Sequence, residues 1–408
     1  MGEYSKALSS QETALEIFKV ALPPNHPDLA TSYSNIGGVY NNMGEYSKAL
    51  SSHEMAFEIR KITLPPNHPD LAASYNNIGK VYNQMGEYSK AVSSYKRSLE
   101  ILEVALPSNH PILATSHNNI GKVYSDMGEY SQALVWCERS LEMKKIALPL
   151  NHPDLASSYN NIGELYYRMG EYTKALSSHE RSLEISKIAL PPNHPHLATS
   201  YSNIGLVYSS MNEFSKSLSS YERSLEIFKM VLPSSHPVLA HSYNNIGMVH
   251  SRMKEYSKAL SSYEKSLEIF KIALPLNHPD LVRFYNNIGM VYSRMGEYSK
   301  ALVWFEKSLD IGKIALPSNH PDLAAFYNNT GEAYHRMGEY SKALSSYERS
   351  LEILKIAVPL NHSYVVSSYN NIALVYSDMG ESSKALSYYQ KVQEISKKSL
   401  SSTHPDVS

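Results

Sequence analysis

Residues 67–102 read NHPDLAASYNNIGKVYNQMGEYSKAVSSYKRSLEIL, and this stretch decides the fold. His-Pro recurs at His26, His68, His110, His152, His194, His236, His278, His320 and His404, and His362 keeps the phase although Ser363 follows it. The step is 42 residues throughout. Met-Gly-Glu-Tyr keeps the same step from Met1, Met43, Met85, Met127, Met169, Met295 and Met337, and survives in altered form at Met211, Met253 and Met379. A strict period of this length signifies a stack of like units rather than globular domains.

All 21 prolines lie in the linkers around His-Pro. Proline breaks helix interiors and is tolerated in a first turn, so the chain between linkers is free to be helical. Within a unit, Asp70 to Met85 reads as helix A, with Tyr75, Ile78, Val81 and Tyr82 on one face. Gly86 marks a turn. Glu87 to Val104 reads as helix B, with an apolar stripe of Tyr88, Ala91, Val92, Tyr95, Leu99 and Leu102. A second glycine recurs inside helix A, at Gly37, Gly79, Gly121, Gly163, Gly205, Gly247, Gly289 and Gly331, with Ala373 last. Each costs about 1 kcal/mol against alanine. Close helix–helix approach accounts for them, with Ala49, Ala91, Ala133 and Ala175 of helix B expected opposite.

The pattern Tyr75-x2-Ile78-Gly79-x2-Tyr82, then Gly86, Ala91 and Tyr95, resembles the tetratricopeptide signature. Whole units are similar to the 42-residue repeats of kinesin light chain, and to those of nephrocystin-3-like proteins. The resemblance covers essentially the whole chain. It implies an all-α, right-handed superhelical solenoid of antiparallel helix pairs, about 19 helices in all. Residues 1–22 are then a lone helix B, 23–400 nine A–B repeats, and 401–408 the start of a further repeat. Neither end shows a polar capping repeat, so the chain is read as a fragment or as having ends that pair with partners, including end-to-end self-association. The long N-terminal heptad region by which kinesin light chains join heavy chain is absent here, so a cargo-type groove is the part the resemblance carries over, and a motor role is left open.

Lys plus Arg number 38 and Asp plus Glu 39. That balance argues against nucleic-acid and membrane partners. Cys137 is the only cysteine, so no intrachain disulfide forms. The N-terminal residues carry no apolar signal segment, and a cytoplasmic protein is expected. Ten histidines are linker copies and suit helix starts better than metal ligation. The carboxylates recur in every unit, whereas a catalytic pair would be singular. No enzyme, metal or cofactor is therefore expected. Trp136 and Trp304 replace a serine of helix B and serve either as outer anchors or as local packing.

The resemblance places the A helices on the concave surface. Their second stripe holds an invariant amide: Asn35, Asn77, Asn119, Asn161, Asn203, Asn245, Asn287, Asn329 and Asn371. An amide both donates and accepts. It can bond an extended peptide, as the resemblance implies, or the neighbouring repeat. Three residues on, the sequence varies: Lys80 and Lys122 give a basic start, and Leu206, Met248 and Met290 an apolar middle. Arg252, Arg283, Arg294 and Arg336 make the second half basic. Lysines of helix B, equally exposed by pattern, scarcely vary. The groove is expected to take an extended peptide with acidic residues around an apolar or aromatic anchor. Kinesin light chains bind tryptophan-plus-acidic cargo peptides, which fits by resemblance. Micromolar affinity needs about 8 kcal/mol. Exposed ion pairs give about 0–1 kcal/mol each and a buried large apolar side chain about 1.5–3 kcal/mol, so both kinds of contact are required. The chain is thus expected to be an adaptor; the alternative is the repeat tail of a larger signalling or sensor protein, used for self-assembly or autoinhibition.

Overall fold

The computed structural model describes residues 2–403 except 276, 360 and 361. The described residues form nineteen helices and no strand. They divide into two compact units, 1–211 and 212–408. The first holds α1 (Gly2–Ala21), α2 (Pro27–Asn42), α3 (Tyr46–Thr63), α4 (Pro69–Gln84) and α5 (Tyr88–Ala105). It continues with α6 (Pro111–Asp126), α7 (Tyr130–Ala147), α8 (Pro153–Arg168), α9 (Tyr172–Ala189) and α10 (Pro195–Ser210). The second holds α11 (Phe214–Val231), α12 (Pro237–Arg252), α13 (Tyr256–Ala273), α14 (Pro279–Arg294) and α15 (Tyr298–Ala315). It ends with α16 (Pro321–Arg336), α17 (Tyr340–Ala357), α18 (Ser363–Asp378) and α19 (Ser382–Thr403). Even-numbered helices are the A helices of the sequence pattern and odd-numbered ones the B helices. The further helix start expected at His404-Pro405-Asp406 lies outside the described residues.

Each A helix begins on its linker histidine. Nδ1 of His26 accepts the backbone N–H of Asp28 at 3.2 Å, and the same bond recurs from His68 to His362 at 3.1–3.3 Å. Each ring thus caps the first turn of its helix through Nδ1. Proline at the next position fits the first turn. Between A and B, glycines such as Gly86 hold φ near +75°, where L side chains are strained. Asn212 and Lys254 hold φ of 60° and 62° at the same place without that freedom.

Hairpins close through the glycine inside helix A. A methyl group on Gly289 would sit 2.6 Å from the Phe305 ring and 3.2 Å from the Ala301 carbonyl. Gly79 faces Tyr95 and the Ala91 carbonyl in the same way, and Gly37 and Gly163 face His53 and His179. The helix-B alanines do line this approach, but through their carbonyls; the side chain on the glycine is the ring four residues later. In the α18–α19 hairpin Ala373 replaces the glycine, and Tyr389, at the ring position, is 41% exposed. A buried serine adds a second tie: Ser98 Oγ donates to the Ala72 carbonyl at 2.7 Å, and Ser140, Ser266, Ser308 and Ser350 repeat it.

Two tyrosines of the expected core stripe, Tyr75 and Tyr82, are only half-buried, while Leu71, Ala72 and Ser74 are buried. The reason is visible at the Tyr82 equivalents. Tyr40, Tyr166 and Tyr334 send their hydroxyls to Glu12, Glu138 and Glu306 of the preceding B helix at 3.0–3.2 Å, so the rings wedge between hairpins with a wet tip. Trp136 lies half-buried 5.3 Å from His117, and Trp304 stacks on Tyr285 at 5.7 Å. Both are local packing. Cys137 is buried, and burial pushes its thiol up to about 11.

Two tests follow from this packing. Gly289→Ala should lower the melting temperature, because overpacking costs about 1–3 kcal/mol. Gly38→Ala, with nothing within 4 Å of the added methyl, should raise it by the helix-propensity gain of about 1 kcal/mol. Equal shifts in the two variants would contradict the contact. The second test uses pH. Burial pushes His53 and His179 down to about 4 from 6.5, and His117 likewise. The unfolded chain therefore binds more protons below pH 6.5, and stability falls as pH drops from 6.5 toward 4. Hydrogen exchange in α2–α3 and α8–α9 should speed up between pH 6.5 and 5 after correction for intrinsic rates. In His53→Tyr/His179→Tyr that acceleration should largely vanish.

Candidate functional site: the helix-A face

The invariant asparagines lie on the A helices, and their amides run between neighbouring repeats. Asn119 Nδ2 donates to Asn76 Oδ1 at 3.0 Å, Asn203 to Asn160 at 2.8 Å, and Asn161 to Asn118 at 3.5 Å. Asn77 reaches Ser34 Oγ at 3.4 Å. In the second unit Asn287, Asn329 and Asn371 donate to Asn244, Asn286 and Asn328, each at 2.9 Å. Asn245 holds the same register in α12. Of the two roles open to this amide, bonding the neighbouring, preceding repeat is the one these contacts fill. The step is 43 residues, since the donor follows the acceptor by one position in the repeat.

A second set of ties with the same step joins the last turns of the A helices. Asn83 donates to Asp126 at 2.8 Å, Tyr167 and Ser210 share a hydrogen bond at 3.1 Å, and Arg294 donates to Ser251 at 2.8 Å. His335 and Asp378 meet at 2.7 Å. Sequence reading missed these pairs. Only co-variation between positions 43 apart would have revealed them.

Around these ties the expected groove residues take distinct places. Lys80 and Lys122 are exposed. Leu206 of the first unit, and Met248 and Met290 of the second, are each half-buried at the matching position of their repeats. Arg252, Arg294 and Arg336 stand exposed on last turns. Arg283 is bonded twice to Asp322 of the next A helix at 2.9 and 3.0 Å, and Arg294 donates to Ser251 at 2.8 Å. Arg336 lies 3.8 Å from Glu332, a loose pair on its own helix. Exposed pairs of this kind are worth about 0–1 kcal/mol and exchange readily for a ligand carboxylate. Among the described residues no three His, Cys, Asp or Glu side chains gather as a metal site would require, and no helix is long and apolar enough to cross a membrane.

The sequence model of the tetratricopeptide repeat matches residues 1–62, 35–104, 70–146, 154–230, 219–272, 238–314 and 280–356, and a second such model matches 365–406. The chain belongs to the tetratricopeptide repeat family. Tetratricopeptide repeats form non-catalytic scaffolds for protein interaction. No curated protein matches the chain. Among solved structures, the apo quorum sensor NprR from B. thuringiensis is similar at 16% identity with a TM-score of 0.59, covering 88% of this chain and 98% of that one. Aspartyl phosphate phosphatase F from Bacillus subtilis is similar at 16% identity with a TM-score of 0.57, covering 90% and 93%. Tetratricopeptide-like repeats of a Podosopora anserina kinesin light chain candidate are similar at 22% identity and a TM-score of 0.46, covering 51% and 99%.

The amide ladder makes a prediction of its own. Asn287→Ala strands the half-buried Asn244 oxygen and should destabilise the second unit by about 1 kcal/mol with no ligand present. Urea melts of the whole chain would detect it. An unchanged midpoint would assign the amide to ligand binding alone.

Proposed function

We propose that the chain is an adaptor that holds an extended peptide segment along the helix-A face, with acidic residues around an apolar or aromatic anchor. The observation that carries this reading lies in the second unit: α12, α14 and α16 each set an arginine on an exposed last turn (Arg252, Arg294 and Arg336), while Met248 and Met290 stand one turn earlier, half-buried. Packed helices lie about 8–10 Å apart. An extended chain advances about 3.3 Å per residue, so every third peptide residue meets a new repeat. Methionine adapts to varied apolar side chains. The arginines supply carboxylate recognition and steering. Lys80 and Lys122 offer the same chemistry on the first unit.

The test is a pair of baits in a pull-down, followed by anisotropy titration of a labelled acidic peptide from any partner recovered. Arg252→Glu/Arg294→Glu/Arg336→Glu, with its helical circular dichroism intact, should lose the partner and weaken the peptide by roughly tenfold or more. Binding to the wild type should also weaken with salt. Equal affinity of the two folded proteins would remove the arginine row from the binding site.

A further inference from the structure

In seven of the hairpins helix B places one residue on the helix-A glycine. His53, Tyr95, His179, Tyr263, Phe305 and Tyr347 all put a ring there. Cys137 is the exception. Its sulfur takes the place of the near edge of the ring, with Sγ 2.7 Å from a methyl placed on Gly121. The remainder of the ring has no counterpart. Instead there is an opening of about 400 Å3 on the helix-A face, floored by Cys137. Gly121 and Ser125 of α6 form one wall and Glu164 and Leu165 of α8 the other.

The other hairpins show what shape this space takes. Burial raises the Tyr95 pKa, and the carboxylate of Asp126, in the last turn of the next A helix, raises it further. Burial likewise raises that of Tyr263, while Arg294 and Arg252 pull it back. Arg252 ends its own hairpin's A helix and Arg294 the next. In the α12–α13 hairpin the Tyr263 phenol thus lies in the field of two successive last turns. The residues matching Arg252 and Arg294 around Cys137 are Asp126 and Arg168. Asp126 lines the opening, with one oxygen already accepting from Asn83 at 2.8 Å. Arg168 is held by Glu164 at 2.7 Å.

We infer that this opening takes a tyrosine side chain from a bound peptide, with its ring on Gly121 and the Cys137 sulfur and its hydroxyl donating to Asp126. The inference rests on the proposed groove reading for the peptide; the phenol site itself does not. A neutral sulfur suits an aromatic ring, and the Cys137 thiol is held neutral by burial. Lys122 stands on the rim, exposed and with no ion-pair partner among the described residues, and favours an acidic residue beside the tyrosine.

The first probe is p-cresol, the tyrosine side chain alone, titrated into the full chain by calorimetry. Saturable binding to the wild type and to Cys137→Ala is expected, and its loss in Cys137→Tyr, which restores the ring other hairpins carry and should melt no lower than the wild type. Absence of binding to the wild type, or equal binding to Cys137→Tyr, overturns the pocket. The second probe is a fluorescein-labelled peptide containing Glu-Asp-Tyr-Asp-Glu and its alanine counterpart. Tyrosine should gain roughly tenfold over alanine in the wild type and little in Cys137→Tyr. If p-cresol binds but the two peptides bind alike, the peptide-tyrosine assignment is overturned. The arginine variants in the second unit report on the groove reading separately, so the two failures are distinguishable.

Discussion

The contact between the helix-A glycine and the helix-B ring sets everything else in this molecule. A glycine in mid-helix costs about 1 kcal/mol, and the ring buried on it returns about 1.5–3 kcal/mol. The geometric consequence matters more than the balance. With no Cβ between them, helix A lies close enough for the Ala91 carbonyl to come within 3.3 Å of where a methyl on Gly79 would be, and for Ser98 to donate to the Ala72 carbonyl. Every hairpin that shares this contact has the same A–B spacing. Identical hairpins then stack so that their A helices lie side by side, and the amide ladder can form at one fixed step. Where the glycine is lost, at Ala373, the ring at the partner position is no longer buried.

Much of this was legible because it is local and repeated. Helix limits came from the linker prolines and the turn glycines, and the observed α4 and α5 differ from the expected spans by one residue at each end. The linker histidines were read as helix-start residues, and they are caps. What escaped the reading depends on how helices are rotated against one another. Ser98 looks like an ordinary polar residue of an amphipathic helix; only the close approach makes it a buried donor. Tyr82 matches the apolar stripe by spacing, yet its hydroxyl needs water or a carboxylate, which shifts the ring outward. Asn83 and Asp126 are neighbours only because α4 and α6 pack in register, and no single repeat contains that information.

The same reasoning bears on the binding face. Variation along the A helices was read as divergence of a binding surface, and part of it has a structural cause. Arg294 with Ser251 and His335 with Asp378 are matched pairs across repeats, so a change in one repeat requires a partner in the next. What is left over is a smaller set: Lys80, Lys122, the half-buried Leu206, Met248 and Met290, and Arg336, whose pair with Glu332 is loose. Cys137 belongs with them, since it interrupts a row of rings at a point that opens on the same face.

The most direct test of the adaptor reading is photo-crosslinking with a genetically placed benzophenone at one position at a time. Positions 80, 248 and 290 lie on the helix-A face, and Lys265 and Lys271 are exposed on helix α13. A partner peptide held as proposed should be captured from the helix-A positions and not from the two on α13, and unlabelled peptide should compete the adduct away. Capture confined to the α13 positions would contradict the account.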